Sequence, residues 1–168
     1  EIERIDLIIS EFLVLSHPHA EMFKPVNMEK VVHDISDFFT IEMQNRHIEF
    51  SLNVNHHDTM INGNKNQIKQ VLINLIKNAI EAIESDGKIH LELNHHDDRL
   101  FISIKDTGIG IPPHVLEKIF EPFYTTKSKG TGLGMMITNK IIQEHKGTID
   151  IYSEENAGTE VLISFPTI

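Results

Sequence analysis

Three short stretches of this chain carry residue types that can do chemistry. The first is Gln70-Val71-Leu72-Ile73-Asn74-Leu75-Ile76-Lys77-Asn78-Ala79, with Glu81 just beyond it. Residues four apart share one face of a helix. At roughly 100° per residue, Val71, Leu72, Leu75, Ala79 and Ile83 form an apolar arc. Asn74, Asn78 and Glu81 fall beyond one edge of that arc. Three such polar groups could hold a hydrated divalent cation, because Mg²⁺ takes few protein oxygens and keeps several waters. Ordinary polarity at the border of an amphipathic helix gives the same pattern.

The second stretch is Asp106-Thr107-Gly108-Ile109-Gly110. Asp106 continues the parity of Leu100, Ile102 and Ile104, so it points to the covered face of its sheet. A carboxylate there needs a donor. The exocyclic amine of adenine is one candidate, and Gly108 and Gly110 would let a ring approach the backbone. An Asx-turn at a strand end is the alternative. The third stretch, Lys127-Ser128-Lys129-Gly130-Thr131-Gly132-Leu133-Gly134, opens a helix. Converging amides and the helix dipole favour anions at such a place. The spacing is not that of a Walker loop, and no strand with a tight turn precedes it as in dinucleotide folds. A flexible loop with a helix cap remains the plainer reading. Between these stretches, Phe120-Glu121-Pro122-Phe123-Tyr124 places three aromatics where they could anchor a lid or form a satellite apolar cluster.

The composition narrows the choice of ligand. Lys plus Arg is 15 and Asp plus Glu is 25, a net charge of -10. Such a surface repels nucleic acid and anionic lipid. An anionic ligand must therefore meet local lysines, a metal ion or oriented amides. The chain has no cysteine, hence no disulfide framework or thiolate metal site. His17, His19, His56, His57, His95 and His96 lack the carboxylate or thiolate partners that metal spacing requires. No apolar run reaches 18 residues, and the first residues do not resemble a signal peptide, so a cytoplasmic location without membrane contact is expected.

The elements that must position these residues follow from periodicity. Ile2, Ile5, Ile8, Ile9, Phe12, Leu13 and Leu15 predict a helix over 1–16, stopped near Pro18, with a stripe to bury on a partner helix or on its own domain. A second helix is predicted over 28–45, capped by Asn27. A third is predicted over 65–85, capped by Asn64 and ended by Gly87. A fourth is predicted over 132–145. Alternation predicts strands at 48–54, 89–93, 100–104, 149–151 and 161–165, with His95-His96-Asp97-Asp98 as a hairpin loop. Residues 107–131 are expected to lack regular structure, and a segment that long is often functional. About five strands and three long helices make a two-layer α/β (α+β) sandwich.

Taken in this order, the motifs resemble the ATP-binding domain of histidine kinases, in the superfamily shared with gyrase, HSP90 and MutL. Gln70 to Ala79 looks like the family's N box, and Asp106 to Gly110 like its first glycine box. Phe120-Glu121-Pro122-Phe123 looks like the F box, Gly130 to Gly134 like the second glycine box, and Gly158-Thr159 like a weaker last glycine motif. The resemblance covers residues 24–168. It implies a Bergerat-type fold, a mixed, mostly antiparallel sheet covered by three helices, with ATP and Mg²⁺ as cofactors. Asn78 would ligate Mg²⁺, and Asn74 would support the metal or the phosphates. Asp106 would accept from the adenine amine, helped by Thr159, with Gly108 and Gly110 flanking the base. The segment Gly130, Thr131, Gly132, Leu133 and Gly134 would meet the phosphates, with Lys127 or Lys129 closing from a lid.

Many relatives carry a basic residue three positions after the Mg²⁺-binding Asn. This chain has Glu81 there, which puts phosphate contact from that position in doubt. Residues 1–20 resemble the second helix of a dimerisation hairpin, whose first helix carries the phosphoacceptor histidine in a His-Glu or His-Asp motif. His17 and His19 do not match it. The style of Asn74 to Ala82 and of Glu121-Pro122-Phe123-Tyr124-Thr125-Thr126-Lys127 is similar to sporulation-type kinases. The implied partners are the hairpin of the same kinase, as a homodimer, and a response-regulator receiver domain. Gyrase-type and HSP90-type ATPases carry a water-activating Glu where this chain has Asn74, so hydrolysis is expected to be poor. A nucleotide-sensing module without transfer chemistry is the third reading.

Overall fold

The computed structural model describes Ile5, Ile9 and residues 22–55 and 59–168. Ile5 and Ile9 are helical and exposed. The rest of the helix predicted over 1–16, with Pro18, His17, His19, His56 and His57, lies outside the described residues.

In chain order, β1 (Lys24–Asn27) leads into α1 (Met28–Asn45), followed by β2 (Ile48–Val54) and β3 (Met60–Gly63). Next come α2 (Lys65–Ala82), β4 (Gly87–His96) and β5 (Arg99–Asp106). A short α3 (Pro113–Leu116), then α4 (Gly134–Glu144), β6 (Thr148–Glu154) and β7 (Gly158–Pro166) complete the chain. Five strands form one sheet in the order β2-β4-β5-β7-β6. Only β2 and β4 run parallel; the other pairs are antiparallel. The two-layer arrangement expected from the alternation, with the mixed, mostly antiparallel sheet that the resemblance implies, is thus the one observed.

The core explains why these residues form these elements. Ile89, Leu91, Leu93, Leu100, Ile102, Ile104, Ile163 and Phe165 alternate inward from the sheet. They meet Ile68, Val71, Leu72, Leu75, Ile76, Ala79 and Ile80 of α2 and the buried stripes of α1 and α4. A side chain of this size buried fully is worth about 1.5–3 kcal/mol, so the apolar stripe sets the rotation of α2. Both predicted caps are present. Asn27 accepts from the Lys30 amide at 3.0 Å, and Asn64 from the Asn66 and Gln67 amides at 3.0 and 3.2 Å.

Several sequence expectations need correction. α2 ends at Ala82 rather than Ser85, because Ile83 turns extended to keep its side chain in the core. Gly87 is therefore not a helix terminator but the first residue of β4, paired with Ile48. His95 and His96 belong to the strand, and the turn tightens to Asp97 and Asp98, with Asp97 at φ 54°. α4 begins at Gly134, because Gly132 sits at φ 74°, outside helical space. The stretch 107–131 contains α3, so residues 22–168 hold four helices among the described residues, three of them long. A two-stranded ribbon, β1 with β3, was not anticipated.

His145, at the end of α4, knits three parts of the fold together. Its Nε2 accepts from the Asn64 amide at 3.0 Å, and its Nδ1 donates to the Ile141 carbonyl at 2.7 Å. Its ring stacks on Phe23, with centroids 4.4 Å apart. Burial holds the imidazole below its usual pKa, offset in part by the Ile141 carbonyl and the Glu144 carboxylate. The unfolded chain therefore binds a proton more readily than the folded one. Stability from this group is full above about pH 6.5 and is lost as pH falls from there to the depressed folded value. Denaturant unfolding between pH 7.5 and 5 should show that loss, and His145→Gln should flatten it; equal pH slopes in both proteins would refute the assignment.

Candidate functional site

The side chains singled out by type converge along α2. Its apolar stripe faces the sheet, so Asn74 and Asn78 emerge half-buried at the border facing α4. The Asn74 Nδ2 group donates to Thr138 Oγ1 at 2.9 Å and lies 3.6 Å from Met135 Sδ. Asn78 Nδ2 lies 3.4 Å from the same sulfur. Gly134 opens α4 against this row: a Cβ there would stand 2.7 Å from Asn74 Oδ1. The helix start thus comes as close to Asn74 as its backbone allows. Between α2 and α4 a cleft of about 170 Å³ is lined by Gln70, Asn74, Lys77, Gly134 and Thr138, among others.

The glycine-rich segment approaches α2 from outside. Lys127 Nζ donates to Asn78 Oδ1 at 2.9 Å and to the Glu81 carboxylate. The other Glu81 oxygen lies 4.0 Å from Lys77 Nζ. Within the segment, the Gly130 amide donates to the Lys127 carbonyl at 3.2 Å, and the Leu133 amide to Thr131 Oγ1 at 3.3 Å. Leu133 is buried, Gly132 is half-buried and Lys129 is exposed. Lys127 is thus brought to the Asn78 row, and Lys129 is not.

The other end of the site is built where β5 runs out. Asp106 is buried, as its parity predicted, and only 5% exposed. Its Oδ1 accepts from the Gly108 amide at 2.8 Å. Thr159 of β7 is its cross-strand neighbour, and the Thr159 hydroxyl is 2.7 Å from Ser153 Oγ. The Ile109 amide donates to the Ala82 carbonyl at 2.9 Å, so this loop docks on the C-terminal end of α2. Gly110, at φ 70°, must be glycine twice over: a Cβ would also meet the Glu154 carbonyl at 2.0 Å. One helix therefore carries the amide pair and receives the carboxylate's loop.

Sequence reasoning missed Thr138 and Met135, which orient the two asparagines, and Ala82 and Ser153, which seat the first glycine loop. Each acts across many residues of sequence, where no local period signals it. Among the described residues no cluster of three or more His, Asp or Glu side chains could hold a metal ion. Among them, too, no helix is long and apolar enough to cross a membrane.

The sheet order, the amide row on α2 and the buried carboxylate beside paired glycines define an ATP-binding class of domain. A family model described as histidine kinase-, DNA gyrase B- and HSP90-like ATPase matches residues 63–168, and the chain belongs to that family. Its relatives within the family are histidine kinases. Sporulation kinase A of Bacillus subtilis (strain 168) is 40% identical over 167 residues, covering 99% of this chain and 28% of that protein. The catalytic domain of histidine kinase ThkA superposes with a TM-score of 0.79 at 35% identity, covering 86% of this chain and 95% of that one. Full-length ShkA in complex with AMPPNP gives 0.81 at 25% identity, covering 95% of this chain and 35% of that one. ThkA in complex with the response regulator TrrA gives 0.84 at 32% identity, covering 99% of this chain and 48% of that one. By these likenesses the chain groups with the catalytic domains of histidine kinases. The chain spans 28%, 23% and 39% of the length of sporulation kinases A, E and C.

Burial is the main force on Asp106 and holds its carboxyl above the ordinary value of 3.8, while amide hydrogen bonds from Gly108 and Thr159 pull the other way. A raised folded pKa contributes stability only at low pH, and that contribution is lost as pH rises through the folded value. At neutral pH the ionised carboxylate therefore costs stability. Asp106→Asn keeps the acceptor for Gly108 without the charge. Its melting temperature should exceed that of the parent at pH 7 and match it below pH 3.8; a lower melting temperature at pH 7 would contradict this account.

Proposed function

We propose that the domain binds ATP with Mg²⁺ and donates the γ-phosphoryl group to a histidine on the dimerisation hairpin of its kinase, for relay to a response-regulator aspartate. The observation that carries this reading is that α2 joins a cation-binding amide, Asn78, to the seat of a buried carboxylate, Asp106. Asn78 Oδ1 already accepts from an ammonium group, so its oxygen fits a metal ion. Bound Mg²⁺ would neutralise phosphate charge, which is the main chemical need of phosphoryl transfer.

The protein's own groups would do the rest. Asp106 would accept from the adenine amine, with Thr159 assisting and Gly108 and Gly110 flanking the ring. The amides of Gly130, Gly132, Leu133 and Gly134 would bind phosphate oxygens at the start of α4, with Thr131 between them. Lys127 or Lys129 would close from the lid, and Asn74 would hold the metal's surroundings in place. We assign Asn74 and Lys127 to the catalytic step, as positioning and charge-stabilising groups. An amide cannot take a proton from water, so Asn74 favours transfer over hydrolysis. That ShkA is known with AMPPNP and ThkA with a response regulator supports the ligand and the partner. On this reading residues 1–20 belong to the dimerisation hairpin, 24–168 form the catalytic domain, and the kinase works as a homodimer in the cytoplasm.

The test is to incubate the chain with γ-labelled ATP and the hairpin of its own kinase. Base-stable, acid-labile label should appear on the hairpin histidine; release of labelled phosphate without any such label would overturn the proposal. Asp106→Asn should weaken ATP binding by about 1.5–3 kcal/mol, the worth of a hydrogen bond to a charged group. Calorimetry showing unchanged affinity in that folded variant would refute the adenine assignment.

A further inference from the structure

The Lys127 ammonium rests on two oxygens of α2, Asn78 Oδ1 at 2.9 Å and the Glu81 carboxylate. Asn78 and Glu81 are three residues apart, so their side chains are neighbours on one helix surface. Lys127 reaches them from a segment more than forty residues away in sequence. The Glu81 side chain is 31% exposed and that of Lys127 45%. An ion pair so exposed adds little to stability. Its significance is positional: a cation is accepted jointly by a neutral amide oxygen and a carboxylate.

That pair of oxygens also suits a hard divalent ion. Mg²⁺ takes one or two carboxylate oxygens, keeps waters and fills the rest of its octahedron with phosphate oxygens. Glu81 would otherwise set a negative charge beside a triphosphate in a chain of net charge -10. With Lys127 on it, the carboxylate is neutralised but the lysine is occupied. With a divalent ion there instead, the pair becomes net positive and Lys127 is free for the phosphates.

We propose that Asn78 Oδ1 and the Glu81 carboxylate form one cation site, held by the Lys127 ammonium in the free protein and by the divalent ion once the metal nucleotide binds. The proposal rests on the reading of this site as one for ATP with Mg²⁺. Glu81 then ligates the ion directly or through one of its waters, and exchange of cations couples metal entry to release of the lid lysine.

Two measurements on the whole chain test this. In the first, nucleotide is absent and Mn²⁺ alone is titrated, with free ion read by electron paramagnetic resonance. Lys127→Met should bind Mn²⁺ more tightly than the parent, and Lys127→Met with Glu81→Gln should lose the gain. No gain in Lys127→Met, or a gain that survives Glu81→Gln, would overturn the proposal whatever the nucleotide does. In the second, a non-hydrolysable ATP analogue is titrated calorimetrically in EDTA and in Mg²⁺. Glu81→Gln should cut the Mg²⁺-dependent gain in affinity by at least about tenfold, the usual loss when a metal's supporting group is removed. Its affinity in EDTA should be unchanged or higher. A gain equal to or above the parent's would make Glu81 only a tether for the lid. A parent that binds no analogue at all sinks the ATP reading instead, and the Mn²⁺ titration then decides the cation site alone.

Discussion

Burial of one apolar stripe on α2 constrains everything else in the molecule. Val71, Leu72, Leu75, Ile76 and Ala79 can be covered by the sheet in only one rotation of the helix. That rotation brings Asn74 and Asn78 out on the side of α4 and leaves Glu81 in solvent. The same helix ends where the core residue Ile83 must turn inward, which leaves the Ala82 carbonyl free for the Ile109 amide. A shift of one residue in that packing would displace the amide row and the seat of the carboxylate together. The site is therefore a consequence of core packing rather than an addition to it.

Charge is arranged against the grain of the composition. The chain is strongly acidic, yet Lys77 and Lys127 meet at Glu81 on the exposed side of α2. Asp106, by contrast, is buried where ionisation is unfavourable. Both carboxylates are poor investments for stability, one because it is exposed and one because it is desolvated. Stability alone therefore does not account for either position.

Much of this could be read from sequence because it depends on local period. The alternation of Leu100, Ile102 and Ile104 carried through to Asp106 and placed it inward, and the caps at Asn27 and Asn64 were visible in their residue types. The errors share a cause. Gly87 looks like a helix terminator only if the helix is considered alone; its pairing with Ile48 makes it a strand residue. β1 and β3 have four residues each, and one contains Pro25, so neither carries a periodic signal; they exist because they pair with each other. Thr138, Met135 and the Lys127–Glu81 contact likewise depend on what lies opposite, which a local pattern does not encode.

The ribbon of β1 and β3 also has a mechanical meaning. Lys24 pairs with Gly63, the residue before the cap of α2, while Phe23 stacks on His145 at the end of α4. His145 in turn accepts from the Asn64 amide. Tension on the chain at Phe23 is therefore shared at once between the start of the helix bearing Asn74 and Asn78 and the end of the helix that begins at Gly134. The load also reaches the five-stranded sheet, through the Ile61–Thr167 bridge and the edge of the His145 ring against Phe165, so a twist of the incoming segment strains both walls of the cleft together with β7.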